Sequence, residues 1–434
     1  MHVLVIRDKV LPYPVGVSGV AVVAWSAIKT LIDRGHKVSI CTFGRSRKDR
    51  YRQEARELLM SQGVAIHDLD DRVQKVPRPS GTANLLQAAR RALSPILADL
   101  YPTVSLGPHL QSLIDLEKPD VLYAFDFSGA AVVNRLARRP SALAAVVDLD
   151  HVTRIAKRSM QEPLALREQF KRTIDIFAQR RLPEWEVSML KPFERVVDHA
   201  AHHAKWLREK GVRQCIYLPN PVVDAVGSRC FRERGEYRVK DSRPKILFIG
   251  RLDSTINRPA LELLAKEILP ILVVELGPEG FQLDVVGHGR LAPDVANRLD
   301  CPSVRLRGFV QDAQTEFLSC DVLLVPTPSE LGFRTRVAEG FSYGCCVVSH
   351  TANALGMPEL VHEDNSLLAS DGVGLASQTV RALRDSELRH RLERRARETY
   401  EAKLDAAKVC GRITDELEAL VRQHATSTGR VQAR

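Results

Sequence analysis

Arginines follow an apolar, strand-like run in the second half of the chain. Arg251 comes directly after KILFIG, and Arg258 lies one loop further on. A guanidinium at the end of a strand is suited to bidentate binding of phosphate oxygens. These positions therefore predict a phosphate-binding loop, with a surface arginine that only braces the loop as the alternative. A further loop, VVGHGR at 285–290, contains two glycines that would let the backbone approach a flat base closely.

A predicted helix after the run DVLLVP carries a second cation and a carboxylate. Arg336 and Glu339 are three residues apart, so they share one face of that helix. The arginine can neutralise a diphosphate, and the carboxylate can accept hydrogen bonds from the two hydroxyls of a ribose. The alternative is an intrahelical salt bridge, which would contribute only roughly a few tenths of a kcal/mol.

The first half of the chain offers two weaker candidates. The loop LPYPVGVSGVA leads into a helix beginning near Gly19, and the free N–H groups of a helix start can bind an anion. The loop lacks the G-x-G-x-x-G dinucleotide pattern, so a plain Pro/Gly turn is the alternative. His151 follows the run AAVVDL, where the carboxyl ends of parallel strands collect ligands. A capping or core histidine is the alternative for His151.

No metal or cofactor is predicted. Asp148-Leu149-Asp150 has a D-x-D form that could chelate a divalent ion, and we interpret it as structural. The eight cysteines are scattered without a C-x-x-C pair, which indicates buried thiols in a reducing compartment rather than a zinc site or a disulfide framework.

The elements that position these residues form two series of alternating strands and helices. The runs HVLVI, KVSICTF, DVLYAF and AAVVDL read as buried parallel strands, and the pattern restarts near residue 240 with KILFIGRL. Each series predicts a doubly wound α/β sheet. The predicted domains are 1–222 and 244–371, with a polar hinge at 223–243 and a charged helical segment with a frayed tail at 372–434.

Composition and charge limit the kinds of partner that the sequence predicts. A length of 434 residues fits two or three domains, and neither a membrane span nor a signal peptide is predicted, which indicates a cytoplasmic protein. The net charge of +10 suits anionic partners. A basic run across residues 45–56 is either a solvated face or a contact with the anionic inner face of a membrane. Nucleic acid is not predicted, because only Tyr51 interleaves the basic side chains.

The segment from residue 325 to 361 resembles the donor-binding signature of the family-four retaining glycosyltransferases. It is most similar to the variant G-x-R-x-K-x-x-E, which Gly332, Arg334, Arg336 and Glu339 match in order. Gly356 and Glu359 resemble the following G-x-x-E loop. The similarity extends over roughly 350 residues and includes FIGRL, Asn257, VVGHG, GFVQD and YLPNPV, together with SGVAVVAWSAIKTLIDRGHKVSI in the first half.

This resemblance implies a GT-B fold, in which two Rossmann-like domains face each other across a cleft. It implies a metal-independent enzyme that transfers a sugar, with retention of configuration, from a UDP- or GDP-activated donor to a glycan or lipid-linked hydroxyl acceptor bound by the N-terminal domain. The implied catalytic residues are His151, Arg251 and Arg336, and the implied donor-binding residues are Gly19, Arg258, Gly332, Arg334 and Glu339.

The chain departs from the commoner signature at one sugar-contacting position. The first glutamate of the motif falls on Leu331, and Glu330 lies one residue early. We therefore expect backbone N–H groups of 332–334 and Arg334 to hold the sugar. Two alternatives to a transferase remain at this stage: a sugar-nucleotide epimerase of the same fold, and a non-catalytic scaffold that keeps the fold.

Overall fold

The protein divides into two compact units. The computed structural model describes residues 1–8, 11–14, 19–43, 52–69, 106–146, 149, 182–238 and 243–432. The first unit comprises Met1–Leu218 together with Cys410–Arg434, and the second comprises Pro219–Val409. The chain therefore enters the second unit after Leu218 and returns to the first after Val409.

A parallel sheet of seven described strands forms the centre of the first unit. The strands are β1 (His2–Asp8), β2 (Lys37–Phe43), β3 (Ala65–Asp68), β4 (Val121–Phe125), β5 (Ala142–Val146), β6 (Arg195–Asp198) and β7 (Cys215–Tyr217). Their order across the sheet is β3-β2-β1-β4-β5-β6-β7. Strands such as β1 and β4 are buried over nearly their whole length, as expected of a parallel sheet covered on both faces.

Helices connect these strands in the doubly wound manner. Between residues 1 and 218, the described helices are α1 (Gly19–Asp33), α2 (Arg52–Ser61), α3 (Gly107–Glu117), α4 (Asp126–Val133), α5 (Leu182–Leu190) and α6 (Ala201–Glu209). The predicted βαβ unit at the start of the chain is confirmed: α1 connects β1 to β2, and the helix stops before Gly35, whose φ is +77°. A residue that adopts a left-handed φ just after the end of a helix is usually glycine.

The second unit contains a six-stranded parallel sheet. The strands are β8 (Lys245–Ile249), β9 (Gln282–Val286), β10 (Val304–Gly308), β11 (Val322–Val325), β12 (Cys346–His350) and β13 (Leu367–Ala369), in the order β10-β9-β8-β11-β12-β13. The order reverses between β8 and β11. Ligands of doubly wound sheets bind outside the carboxyl ends of the strands at such a reversal, so the loops after β8 and β11 are where a site is expected.

Helices cover both faces of this second sheet. They are α7 (Cys230–Tyr237), α8 (Asn257–Leu263), α9 (Leu269–Leu276), α10 (Pro293–Leu299), α11 (Gln314–Ser319), α12 (Thr335–Ser342), α13 (Ala352–Gly356), α14 (Gly372–Arg384) and α15 (Ser386–Thr399). One apolar cluster includes Phe248 and Leu392, and a second includes Leu323, Phe341 and Tyr400. Leu247 and Phe248 are adjacent on β8 but belong to different clusters, and successive side chains of a strand point to opposite faces, so each face of the sheet has its own core.

A final helix, α16 (Ala406–Gln432), begins in the second unit and continues in the first. Three ion pairs attach it to the first unit: Arg34–Asp415 at 2.6 Å, His36–Glu418 at 3.0 Å and Arg195–Glu416 at 2.7 Å. His36, predicted as a structural histidine before β2, thus contacts the C-terminal helix. Within the described ranges, no helix has the length and apolar content needed to cross a bilayer.

The unit boundaries differ from the predicted ones. The predicted hinge, 223–243, contains α7 and belongs to the second unit, because Arg234 is buried there. Arg234 donates to the Phe317 carbonyl at 2.6 Å and lies 3.3 Å from Glu393. The predicted helical segment 372–434 is divided between the units: α14 and α15 belong to the second, and most of α16 belongs to the first.

All eight cysteines are free thiols, and seven of them are buried. This confirms the prediction of buried thiols. Burial raises the pKa of Cys41 and of Cys346 to about 12, so these thiols stay protonated and unreactive at neutral pH.

Candidate functional site

Two loops meet at the carboxyl ends of β8 and β9. The amide of Gly250 donates to the carbonyl of Val286 at 2.9 Å. Gly287 has a φ of +145°, and a Cβ at this position would lie 1.9 Å from the Gly250 carbonyl oxygen. Only glycine fits this contact, so the two loops present backbone rather than side chains beside the strand reversal.

An aromatic pair borders the loop after β9. The rings of His288 and Phe309 meet edge to face with their centroids 6.2 Å apart, and Phe309 is 69% exposed. The close backbone and the exposed ring agree with the predicted approach of a flat base to the loop VVGHGR, a role that stays a prediction.

Arg336 extends from α12 to the loop after β8. Its Nη2 donates to Oδ1 of Asn257 at 2.8 Å, and its guanidinium carbon lies 5.9 Å from the centroid of the Phe248 ring. A Cβ on Gly250 would lie 2.7 Å from this Nη2, so glycine leaves room for the guanidinium. Nη1 is buried and has no hydrogen-bond partner among the described residues. An unmet buried donor costs about 1–3 kcal/mol, which a ligand oxygen would recover.

Asn257 fixes the position of this arginine. It lies at the start of α8, it is 2% exposed, and its Nδ2 donates to the carbonyl of Arg251 at 2.8 Å. One amide therefore ties the loop after β8 to the guanidinium of Arg336. Asn257 was not among the predicted site residues, although the resemblance to the glycosyltransferases marked its position.

Burial shifts the ionisation of both charged residues on α12. Desolvation lowers the pKa of Arg336 to about 10 and raises the pKa of Glu339 to about 7, and in each case the charge of the other opposes the shift. Arg336 and Glu339, both within the described part of the chain, affect each other through their charges alone, with no hydrogen bond between the two side chains. The intrahelical salt bridge, which was the alternative interpretation of their spacing, is therefore not present.

Arg251 is exposed and pairs with a neighbouring carboxylate. Its Nε donates to Oδ1 of Asp253 at 2.5 Å, and the side chains of Arg251 and Asp253 are 60% and 40% exposed. This hydrogen bond raises the pKa of Arg251 and lowers the pKa of Asp253. Arg251 thus keeps its full charge at the carboxyl end of β8, where its phosphate-binding role stays a prediction.

Arg334 is buried within the loop that connects β11 to α12. Its Nη2 donates to the carbonyl and to Oγ of Ser329 at 2.7 and 2.9 Å, and its Nε donates to Oδ1 of Asn353 at 2.6 Å. Gly332, in the same loop, has a φ of +56°. These bonds hold the Arg334 side chain within the loop, and the sugar contact expected from the N–H groups of 332–334 and from Arg334 stays a prediction.

The remaining predicted residues lie around or outside this cluster. Arg258 follows Asn257 on α8 and has its Nε 3.7 Å from Glu262. Gly19 begins α1. His151 lies outside the described residues, as do Asp148, Asp150 and positions 45–51 of the basic run. In the described ranges no three His, Cys, Asp or Glu side chains are grouped so that they could hold a metal ion.

Comparison with known proteins gives a family match over the second unit. Residues 243–385 match the family described as Glycosyl transferases group 1. No curated protein is detectably similar to the chain in sequence.

Solved glycosyltransferase structures share the fold over nearly the whole chain. HepE of Anabaena in complex with UDP and glucose has a TM-score of 0.61 at 15% identity and covers 96% of this chain and 99% of its own. Sucrose-phosphate synthase of Thermosynechococcus elongatus has a TM-score of 0.64 at 15% identity, covering 98% and 99%. S. aureus TarM, in a complex containing UDP, has a TM-score of 0.62 at 10% identity, covering 97% and 99%. The chain thus has the GT-B fold, as predicted, with two doubly wound α/β domains.

Proposed function

We propose that this protein is a glycosyltransferase that moves a sugar from a UDP- or GDP-activated donor to a hydroxyl acceptor with retention of configuration. The observation that carries the proposal is the guanidinium of Arg336, held against Gly250 by Asn257 with Nη1 unpaired. These residues belong to the segment that matches the glycosyl transferase family. A nucleoside diphosphate supplies the anionic oxygens that this arrangement lacks.

The donor's diphosphate is the group whose charge must be neutralised. When the bond between the anomeric carbon and the phosphate oxygen breaks, the electron pair stays on the diphosphate and its negative charge grows. Fixed positive groups that meet this charge lower the barrier. Arg336 and Arg251 would supply it, with Arg258 and the amino end of α12 beside them. This set would replace a divalent ion.

Glu339 would hold the nucleoside part of the donor. As a carboxylate it can accept hydrogen bonds from both ribose hydroxyls. Desolvation raises its pKa to about 7, so both carboxylate oxygens are free to accept hydrogen bonds only when the group is ionised. The ribose would thus set the position of the donor relative to Arg336 on the same helix.

The acceptor is assigned to the first unit. The new bond forms between an acceptor hydroxyl oxygen and the anomeric carbon, and the hydroxyl proton passes to an oxygen of the departing diphosphate. His151 would contact the donor sugar or the acceptor. A glycan or a lipid-linked acceptor fits this scheme, and the net charge of +10 favours a site of action at an anionic membrane surface.

Calorimetric titration with UDP and GDP tests the nucleotide site. Arg336→Met keeps the apolar stem and the helix but removes the charge, so the affinity for the diphosphate should fall at least tenfold, or about 1.4 kcal/mol. Arg298→Met, at an exposed position of α10, is the matched control and should bind as the wild type does. Equal affinity of Arg336→Met and the wild type would refute the role of Arg336.

An activity assay then separates the three candidate functions. Slow release of free UDP or GDP from a panel of nucleotide sugars is expected of an enzyme and would be absent from a scaffold. Transfer of the donor sugar to a molecule in an added acceptor extract identifies a transferase. Conversion of the donor into its epimer without acceptor would instead identify an epimerase and overturn the proposal.

A further inference from the structure

The chain enters the second unit through a stiff tripeptide, Pro219-Asn220-Pro221. Each proline fixes its own φ, and the residue before a proline is restricted to extended conformations. The backbone of Asn220 therefore has little freedom.

The residue that follows this tripeptide is anchored inside the second unit. Val222 donates its N–H to the carbonyl of Leu404 at 3.1 Å and accepts from the amide of Ala406 at 2.9 Å. The hydroxyl of Tyr400 also donates to the Val222 carbonyl at 2.8 Å. The segment on which Asn220 lies is thus fixed at its far end as well.

The Asn220 side chain points to the amino end of α12. It is 5% exposed, and its Nδ2 lies 3.4 Å from the hydroxyl of Thr335, the first residue of that helix. Its Oδ1 is buried with no hydrogen-bond partner among the described residues. Rotation of the amide by 180° exchanges the two ends without changing its shape, so in either orientation one polar end stays unpaired.

A second unpaired group lies at the next residue of the same helix. Arg336 follows Thr335, and its Nη1 is buried and also lacks a partner within the described part of the chain. Buried polar groups are nearly always hydrogen-bonded in folded proteins. An anionic oxygen in front of α12, where the helix dipole favours negative charge, can accept from Nη1 of Arg336 and, when the amide is rotated, from the NH₂ group of Asn220.

We propose that Asn220 is a binding residue for the diphosphate of the donor. Its carbonyl accepts from the Thr335 hydroxyl, and its NH₂ group donates to a diphosphate oxygen in front of α12. The inference rests on the proposed nucleotide-sugar site and adds to it a contact from the segment where the chain enters the second unit. No bond is made or broken by Asn220.

Asn220→Asp is the sharpest test, because the two side chains have the same shape. The carboxylate can still accept from Thr335, but it replaces the NH₂ donor by a negatively charged oxygen that repels phosphate. We expect the Kd for UDP or GDP to rise at least tenfold and the Kd for uridine or guanosine to change less than twofold. Asn297→Asp adds the same charge at an exposed position of α10 and should leave both constants unchanged.

The outcomes separate this inference from the proposed function. If the wild type binds no nucleoside diphosphate, both are wrong. If the wild type binds it and Asn220→Asp binds it equally well, only the role of Asn220 is wrong. Equal losses for diphosphate and nucleoside would show a structural role and overturn the inference. Should Asn220→Asp fail to fold, Asn220→Ala removes the amide without adding charge and carries the same comparison of diphosphate with nucleoside.

Discussion

At the scale of single residues, the candidate site places an arginine and a glutamate where burial disfavours the charge of both. Desolvation lowers the pKa of Arg336 and raises that of Glu339. An arginine with a pKa of about 10 stays charged at neutral pH, whereas a glutamate with a pKa of about 7 is only partly ionised there. The carboxylate is therefore the group whose state changes with pH in the working range.

Glu339→Gln should weaken nucleoside binding by about 1–3 kcal/mol, the range for loss of a charged acceptor. Because the pKa of Glu339 is raised to about 7, the wild type should bind uridine or guanosine more tightly as pH rises from about 6 to about 8, the window over which the carboxylate forms. The variant should show no such dependence. Calorimetry at several pH values measures both effects, and a pH-independent wild type would contradict the assignment.

Glu330 and Arg334 lie in the loop before α12 and should differ in their effect on the rate. Arg334→Ala removes the bonds to Ser329 and Asn353, so the loop loses its support and the release of UDP or GDP from the donor should slow at least tenfold, about 1.4 kcal/mol. Glu330 is exposed, and Glu330→Ala should leave the rate within about threefold. The opposite ranking would mean that Glu330 has the role of the motif glutamate, whose position is occupied by Leu331.

At the scale of elements, the alternation of strands and helices was predictable and the side-chain contacts were not. Runs such as DVLLV and CCVVS predict buried parallel strands because they are apolar on both faces, and β11 and β12 confirm this. The polar composition of 223–243 predicted a hinge, but Arg234 in this segment is buried, where it donates to the Phe317 carbonyl and pairs with Glu393. Those partners lie 83 and 159 positions away, beyond the reach of local sequence patterns.

The site itself was predictable only in part for the same reason. The spacing of Arg336 and Glu339 placed them on one helix face, as α12 confirms. The bridge through Asn257 joins residues 79 positions apart, and a spacing rule cannot indicate it. Local patterns thus identified the groups that carry charge, and the family resemblance marked Asn257, whereas the hydrogen bonds by which this amide holds Arg336 became visible only in three dimensions.

The contact between the loops after β8 and β9 gives a prediction at this scale. Gly287→Ala would place a methyl group 1.9 Å from the Gly250 carbonyl, so the two loops must separate and nucleotide affinity should fall at least tenfold. Gly277→Ala is the matched control, because Gly277 also has a positive φ, +82°, but has open space around its Cβ position. It should lower the Tm of the protein and leave nucleotide affinity unchanged. Equal affinities in both variants would refute the importance of the contact.

At the scale of the whole molecule, the second unit interrupts the first. Residues 410–434 complete a unit that begins at residue 1, and α16 contributes buried side chains to it, among them Ile413, Leu417 and Leu420. The stability of the first unit therefore depends on a helix made after the second unit.

Leu417→Ala should lower the free energy of unfolding of the first unit by about 2–5 kcal/mol, the usual effect of truncating a buried leucine. Nucleotide binding by the second unit should persist. Calorimetric unfolding with and without UDP or GDP would detect this difference, with Leu306→Ala, at a site 53% exposed, as the control. Loss of nucleotide affinity in Leu417→Ala would contradict the assignment of α16 to the first unit.

The net charge gives a prediction for the molecule as a whole. We expect sedimentation with anionic liposomes at low salt and release as salt is raised, because each cation near such a surface contributes about 1 kcal/mol and salt screens the attraction. Replacing Arg45, Arg47, Lys48 and Arg50 by glutamine should reduce the bound fraction. Wild-type protein that stays in the supernatant at low salt would mean that these residues form a solvated face.

The interrupted order of the first unit also matters while the protein is being synthesised. A ribosome delivers residues 1–218 long before α16, and the continuous second unit emerges in between. At roughly 5–20 residues per second, this interval lasts on the order of ten seconds or more. Domains usually complete their folding from the amino terminus onward, whereas here the unit that starts first finishes last. During that time the apolar surface that α16 will cover is open to nascent-chain chaperones.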